Sequence, residues 1–433
     1  MVRDFPDDAR LVVGFDRRFL SDRFAQHIAR ELAALGIEIW LSPDPIPTPA
    51  LSYAIQRVDA VGGIMVTGGA HPSGVNGIAL RGWDGGALPR WMLDQIEEIT
   101  AASAVIRRIG PTAKVISLDV REDYLSAIGH QVSLKAIRSS GITVAIDSMW
   151  GSAGELLPRL IDGDGSRSIE IRASHNPAFP ELDAPKPFAE NLARLRRIVR
   201  TGDAALGLAL SADGCTLGVI DENGAPVSPG VVTSLLAWYL LFVKREAGAV
   251  ARTITSSNGI DRIAQSAGVP LHELPYGHTA VCETLREQSP MLLADDEGGH
   301  ILTDHIYERD GLMSAMLLVS CLVRTGMELS QLVEEILPIT GARSLQQSRV
   351  ELTAERAELC RVRLARKEWP EDIAGRSVLD HYATDGIKFE LDRDAWLLIR
   401  HDEIDEVLQI CAEAPSNDDA TQLLQSARQM MLV

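Results

Sequence analysis

Residues 61 to 80 read VGGIMVTGGAHPSGVNGIAL, which puts His71 and Ser73 within a few residues of the paired glycines Gly68 and Gly69. An imidazole can accept a phosphoryl group or act as a base, and a hydroxyl becomes a nucleophile when a base stands beside it. Bare glycine N–H groups can cradle an anion. A loop histidine in solvent, or bonded to backbone, is the commoner use of such a residue. A second cluster, Asp295, Asp296, Glu297, His300, Asp304 and His305, has the side-chain types that bind a transition metal, although a solvated acidic loop is the commoner explanation. Ser174, His175, Asn176 and Pro177 form a further polar string. Asp16 and Arg18 are spaced to hold the loop after the first strand by an ion pair, or to offer a guanidinium to a phosphate.

The elements that must position these residues follow from periodicity. An apolar run at 11–15 reads as a buried strand. A helix is expected from Asp22 to Leu35, with Ser21 as N-cap, Phe24, Ile28, Leu32 and Leu35 on one face, and Gly36 as the stop. A strand at 37–41 follows, the strand and helix alternation recurs at 143–147 and 168–172, and helix dominates 229–247. Such alternation implies layered α/β domains with largely parallel strands. Turn-formers and charge interrupt the pattern near 119–124, 221–229 and 339–348. Beyond the last break a helix, short strands at 386–391 and 396–400 and a final helix from Asp418 imply a smaller α+β unit.

The chain has 433 residues, enough for roughly three or four domains. Its formal charge of -18 argues against a nucleic-acid surface, which needs clustered Lys and Arg. Cys215, Cys282, Cys321, Cys360 and Cys411 lack the CxxC spacing of a zinc or redox site and read as reduced, mostly buried thiols. The start MVRDFPDDAR has no apolar run like that of a signal peptide, and no apolar stretch is long enough to span a bilayer, so a cytoplasmic location is expected.

The run at 61–80 resembles the active-site segment GIMITASHNPxxxNGIK of the α-D-phosphohexomutases, the phosphoglucomutase and phosphomannomutase family. VVGFDRRFLSDRFA at 12–25 and DPIPTPALSYAI at 44–55 resemble two further family segments, and similar stretches follow in order to DGIKFELDRDAWLLIRHDEIDE near the C-terminus. The resemblance implies three consecutive α/β/α domains, at 1–122, 123–228 and 229–342, and a small C-terminal α+β domain like the TATA-binding protein at 343–433, around a central cleft. It also implies that this chain lacks the family's first strand, leaving a sheet edge to be covered.

Residue by residue, the resemblance implies an altered chemistry. Gly69 stands at the phosphorylated serine and Ala79 at the proton-moving lysine. The metal motif DGDxDR, which holds magnesium in active members, is here Ser211, Ala212, Asp213, Gly214, Cys215 and Thr216, so no bound magnesium is expected. The sugar loop GExSGH becomes Asp295 to His300, with Asp296 for the glutamate, Gly298 for the serine and His300 retained, while Thr279 replaces a nearby lysine. The phosphate loop RPSGTEP keeps Arg400 and has Asp405 for its glutamate, but carries Asp402 and Glu403 for the serine and glycine, which would repel a sugar phosphate. The literal ASHNP at 173–177 aligns with a second-domain element instead of the catalytic loop.

These losses give the expectation of a catalytically inactive homologue that binds itself or an active enzyme, with a small-molecule ligand possible in the cleft. Two alternatives stand beside it. One is a phosphoglucomutase or phosphomannomutase with an atypical nucleophile such as His71 or Ser73. The other is new chemistry on a non-phosphorylated ligand in the old cleft.

Overall fold

A computed structural model describes residues 9–69, 71–102, 112–366, 368–402 and 406–432. The N-terminal sheet is ordered Ile78–Gly82, Gly62–Val66, Arg10–Phe15, Glu38–Leu41, Val115–Ser117, and is parallel except for its edge strand Ile78–Gly82. Val12 and Val13 in the central strand are fully buried, as a strand covered on both faces requires. The second sheet, Pro226–Val227, Leu217–Asp221, Leu206–Leu210, Thr143–Asp147, Arg167–Ile171, and the third, Leu271–Leu274, Val250–Thr253, Leu292–Ala294, His300–Leu302, repeat the design. Each contains a set of parallel strands and a final parallel strand that turns back into an antiparallel neighbour.

The C-terminal sheet differs in kind. Its six strands, including Ser344–Glu351, Val407–Ala414 and Ala395–Asp402, pair antiparallel throughout. Helices Ala354–Leu364 and Asn417–Leu432 cover it and bury Cys360, Leu423, Ala427 and Met431. The chain is therefore three α/β/α domains followed by a strand-rich fourth.

Helix Gly311–Thr325 ties the second and third domains together. Residues 311–322 are all buried, and Asp310 caps its start by accepting from the Met313 amide at 2.9 Å. Tyr124 of the second domain donates its hydroxyl to the same carboxylate at 2.9 Å, and His305 reaches it at 3.0 Å. All five cysteines are free and buried.

The first helix, Ser21–Ala34, departs from expectation in two ways. Ser21 does not cap it: its hydroxyl donates to Asp16 at 2.8 Å, and the residue before the helix is Leu20, in left-handed conformation. The buried stripe is Ser21, Ala25, Ala29 and Ala33, while Phe24 is exposed and Ile28 and Leu32 are half-buried. Small side chains let this helix lie close on the sheet, so the apolar stripe read from size alone lies beside the true contact face.

Candidate active site

The three α/β domains place three loops at one topological position, between the last parallel strand and its antiparallel return: residues 67–77, 211–216 and 295–299. These lie at the carboxyl ends of parallel strands, where open α/β sheets bind ligands. The second and third loops meet directly, since Thr216 bridges to Gly299 and the Leu217 amide donates to the Gly298 carbonyl at 3.0 Å. Gly69, His71, Lys186, Ser211, Asp213, Thr216, Glu297 and Arg309 line one shared cavity of about 260 Å³. An adjoining cavity of about 330 Å³ adds Tyr276, His278, Asp295, Asp296 and Arg349.

The first loop is held from behind by Arg18. Its guanidinium donates to the carbonyls of Pro72 (2.7 Å), Val75 (3.1 Å), Gly69 (2.8 Å) and His71 (2.7 Å), pairs with Asp16 at 3.2 Å and lies over the Phe179 ring. Asp16 is buried and accepts in turn from the Arg18 amide, Ser21 and Thr67. Asp16 and Arg18 do pair, but the loop that Arg18 holds is 67–77 instead of the expected loop after the first strand, and Arg18 is not among the residues lining the cavity. Gly69 has φ of +55°, and a Cβ added there would lie 3.7 Å from Asp213 Oδ2. The vacant serine position thus faces the remaining carboxylate of the second loop. His71 is exposed and lines both cavities, whereas Ser73 lines neither. Ala79 sits on the return strand, half-buried against the core.

The second loop is closed on itself. Asp213 Oδ1 accepts from Ser211 at 2.6 Å and from the Cys215 amide at 3.1 Å, and Ser211 accepts from the Thr216 amide. Burial first, and then the charges of Asp213 and Glu308, push the Cys215 thiol well above its usual range and keep it protonated. Thr216 is buried, and its hydroxyl has no hydrogen-bond partner.

In the third loop Asp295 accepts from the amides of Glu297 (2.9 Å) and Gly299 (2.7 Å) and from Arg309 (3.1 Å). Burial outweighs Arg309 and raises its carboxyl to about 6. Asp296 accepts from Thr255 and from Gln347 at 2.7 Å. Burial would raise Glu297, but Lys186 at 2.8 Å together with Arg309 holds it below the usual carboxylate value. Gly298, at φ +86°, has no room for the expected serine: a Cβ would lie 2.5 Å from the Leu217 carbonyl oxygen. His300 is wholly buried between Thr233 (3.0 Å) and Ser314 (3.1 Å), and burial lowers it to about 4. It supports the loop from inside and does not face a sugar.

The acidic cluster disperses in the fold. His305 turns to Asp310, Asp304 is exposed, and among the described residues no group of three or more His, Cys, Asp or Glu is placed to share a metal ion. His175 bonds the Arg17 carbonyl at 2.9 Å while Arg17 donates to Ala173, so the ASHNP string clamps the second domain to the first. In the fourth domain Arg400 donates to Gln409 at 2.8 Å, pairs with Asp385 (3.3 Å) and Asp402 (3.5 Å), and stacks over Tyr276. Glu403 and Asp405 lie outside the described residues. Lys186 and Arg309 went unnoticed in the sequence. Their signal was position alone, since each is a cation set against an acidic loop.

Comparison with known proteins agrees with this geometry. Residues 2–106, 122–224 and 229–339 match, in order, the family descriptions of phosphoglucomutase/phosphomannomutase α/β/α domains I, II and III. A phosphoglucomutase/phosphomannomutase of Thermococcus kodakarensis is 27% identical over 422 residues, covering 96% of this chain and 88% of its own. A phosphoglucosamine mutase of Myxococcus xanthus is 27% identical over 350 residues, covering 78% and 74%. A solved phosphoglucomutase/phosphomannomutase family protein from Burkholderia thailandensis superposes with a TM-score of 0.82 at 21% identity, covering 98% of this chain and 88% of its own. The chain belongs to the α-D-phosphohexomutase family, a family of isomerases. The expectation of an inactive homologue acting through protein binding is overturned by these relatives, which are named as mutases along nearly the whole chain and support the mutase alternative instead.

Another solved neighbour, the N-acetylphosphoglucosamine mutase of Aspergillus fumigatus, with a TM-score of 0.57 at 12% identity and covering 93% of this chain and 94% of its own, was crystallised with magnesium. The corresponding loop here does not fit that ion. It offers one carboxylate with an oxygen already engaged twice, a hydroxyl directed at that same oxygen and a protonated thiol. Magnesium requires near-octahedral oxygen ligation.

Proposed function

We propose that the chain is a phosphohexomutase-type isomerase that moves a phosphoryl group between hydroxyls of a hexose phosphate, and that it does so without magnesium. The observation that carries this reading is the convergence of the three corresponding loops on one cavity, where Lys186 and Arg309 stand beside His71 and Thr216. Transferring a phosphoryl group depends on positioning and on positive charge around its oxygens. Here Lys186 and Arg309 are the cations at the cavity, paired with Glu297 and Asp295, and Arg309 keeps a buried Nε without a hydrogen-bond partner. Asp295, with its carboxyl raised to about 6, can lend or take a proton near neutral pH.

Among hexose phosphates, Asp296, which lines the adjoining cavity and accepts from the neutral groups of Thr255 and Gln347, favours an amino sugar whose ammonium complements its carboxylate. The test is phosphorus NMR of glucosamine, glucose and mannose 1-phosphates with a trace of the matching 1,6-bisphosphate, in EDTA. Conversion to the 6-phosphate, fastest for glucosamine, is expected. Absence of conversion for all three sugars, with and without magnesium, would sink the reading.

A further inference from the structure

We infer that His71 is the phosphoryl acceptor of this cleft, an imidazole taking the part for which position 69 has no hydroxyl; the inference rests on the mutase reading above. Three nucleophilic side chains occur on the 67–77 loop. Thr67 donates its hydroxyl to buried Asp16 at 2.8 Å and its oxygen accepts from the Gly69 amide, so it belongs to the framework. Ser73 lines neither cavity. His71 lines both, and among the described residues nothing hydrogen-bonds its ring. Its backbone is fixed all the same, because its carbonyl is one of the four that Arg18 holds and its amide donates to the Gly68 carbonyl at 3.0 Å. The ring is therefore presented from a fixed support without being engaged by it.

What faces the ring suits a phosphoryl group. The shared cavity of about 260 Å³ holds Lys186, Arg309 and Thr216, whose hydroxyl is buried and has no partner. Asp213 and Glu297 line the same space; Lys186, shared with Glu297 at 2.8 Å, and Arg309, shared with Asp295 at 3.1 Å, are the cations that can turn to the oxygens of a phosphoryl group, with the unpartnered Thr216 hydroxyl beside them. The nucleophile also explains what is missing elsewhere. A serine must lose its proton as it attacks and so needs a base, whereas a neutral imidazole attacks through a lone pair already free at neutral pH. With Ala79 in place of a proton-moving residue, a nitrogen nucleophile is the one the surroundings can serve.

The step balances without an added reagent beyond the sugar bisphosphate. A ring nitrogen of His71 forms an N–P bond to one phosphoryl group as the ester P–O bond to the sugar breaks. The electron pair leaves on the sugar oxygen, which takes a proton from Asp295 or from water. In the return step the free hydroxyl of a hexose monophosphate attacks the phosphorus, the N–P bond breaks, and the hydroxyl proton replaces the one consumed.

The full chain should be incubated with glucose 1,6-bisphosphate and its intact mass read at neutral pH and after brief acid, in parallel with the turnover assay. The expected result is a phosphoryl-sized mass gain that acid removes, as for an N–P bond, and that maps to His71. The variant His71→Asn should lose the gain and fall in turnover by at least about a hundredfold, while Ser73→Ala changes neither. Because His71 is exposed, melting of His71→Asn should match the parent, which separates lost chemistry from lost fold. Turnover that persists in His71→Asn, or an acid-stable phosphoryl group on another residue, overturns the inference and leaves the mutase reading standing. Acid-labile phosphoryl on His71 without sugar isomerisation supports the inference and overturns the mutase reading. Neither mass gain nor turnover in the parent protein overturns both.

Discussion

Arg18 of the first domain and Arg400 of the fourth are both buried beside carboxylates, yet they use their donors differently. Arg18 donates to four carbonyls of a single loop, and the loop takes its shape from those bonds. Among the described residues Arg400 meets the side chains of Gln409, Asp385 and Asp402 and an aromatic ring. In the first case a cation organises backbone and leaves the neighbouring His71 ring open to the cleft. In the second it is neutralised by two carboxylates, and the charge it could offer a ligand is cancelled locally. A retained arginine thus says little about phosphate binding until its partners are known. Lys186 and Arg309 are the cations that line the cleft itself, and each is likewise paired with a carboxylate, Glu297 and Asp295.

The largest expected effect sharpens that contrast. Arg18→Met removes the carbonyl bonds and leaves Asp16 buried without its cation, which should cost about 3–5 kcal/mol. Limited proteolysis should then cut within 67–77. His300 should show the next largest effect, through pH. Its folded value of about 4 lies below the ordinary 6.5, so the unfolded chain takes up its proton first as pH falls. Stability is therefore full above about 6.5 and declines by on the order of 3 kcal/mol as pH approaches 4, levelling off below it. Urea midpoints at stepped pH for the parent and for His300→Gln should diverge at high pH and converge toward pH 4; parallel curves would refute the assignment.

Arg400→Met should cost less, about 1–3 kcal/mol, because Asp385 and Asp402 keep some solvent contact and can remain charged without it. A loss equal to that of Arg18→Met would break the comparison, since it would make the fourth-domain cation as essential as the first. Added magnesium should leave all of these midpoints unchanged, for the second loop has no octahedral oxygen set to bind it with.

The sheets were legible because alternation of apolar runs and helical faces is a local property, and motif order carried the domain arrangement. What a side chain faces was harder to read. Arg18 could be read as an ion-pair partner from the DxR spacing, but its hold on the 67–77 loop depends on carbonyls more than fifty residues away. His300 matched a sugar-binding position and proved to be packing, because Thr233 and Ser314 approach it from other elements. Phe24 was placed inward by its size, where the alanine stripe had the closer fit. The losses at Gly69, Cys215 and Asp402 were each visible, but reading them as a dead site overlooked Lys186 and Arg309, the cations that line the cleft.

Gly69→Ser is the smallest change and the closest test of that last point. A glycine at φ +55° meets no steric penalty, whereas a serine there is strained by about 1 kcal/mol. The new hydroxyl would sit near Asp213 Oδ2, since even the Cβ lies 3.7 Å away, and a carboxylate facing an incoming phosphoryl group repels it. The variant should therefore melt slightly earlier and still carry its phosphoryl group on His71, in acid-labile form. If the introduced hydroxyl instead took up an acid-stable phosphoryl group and turnover rose, the old serine chemistry would need only that hydroxyl. The cleft would then have lost a nucleophile without having gained one, and His71 would be a bystander on a loop that Arg18 preserved for other reasons.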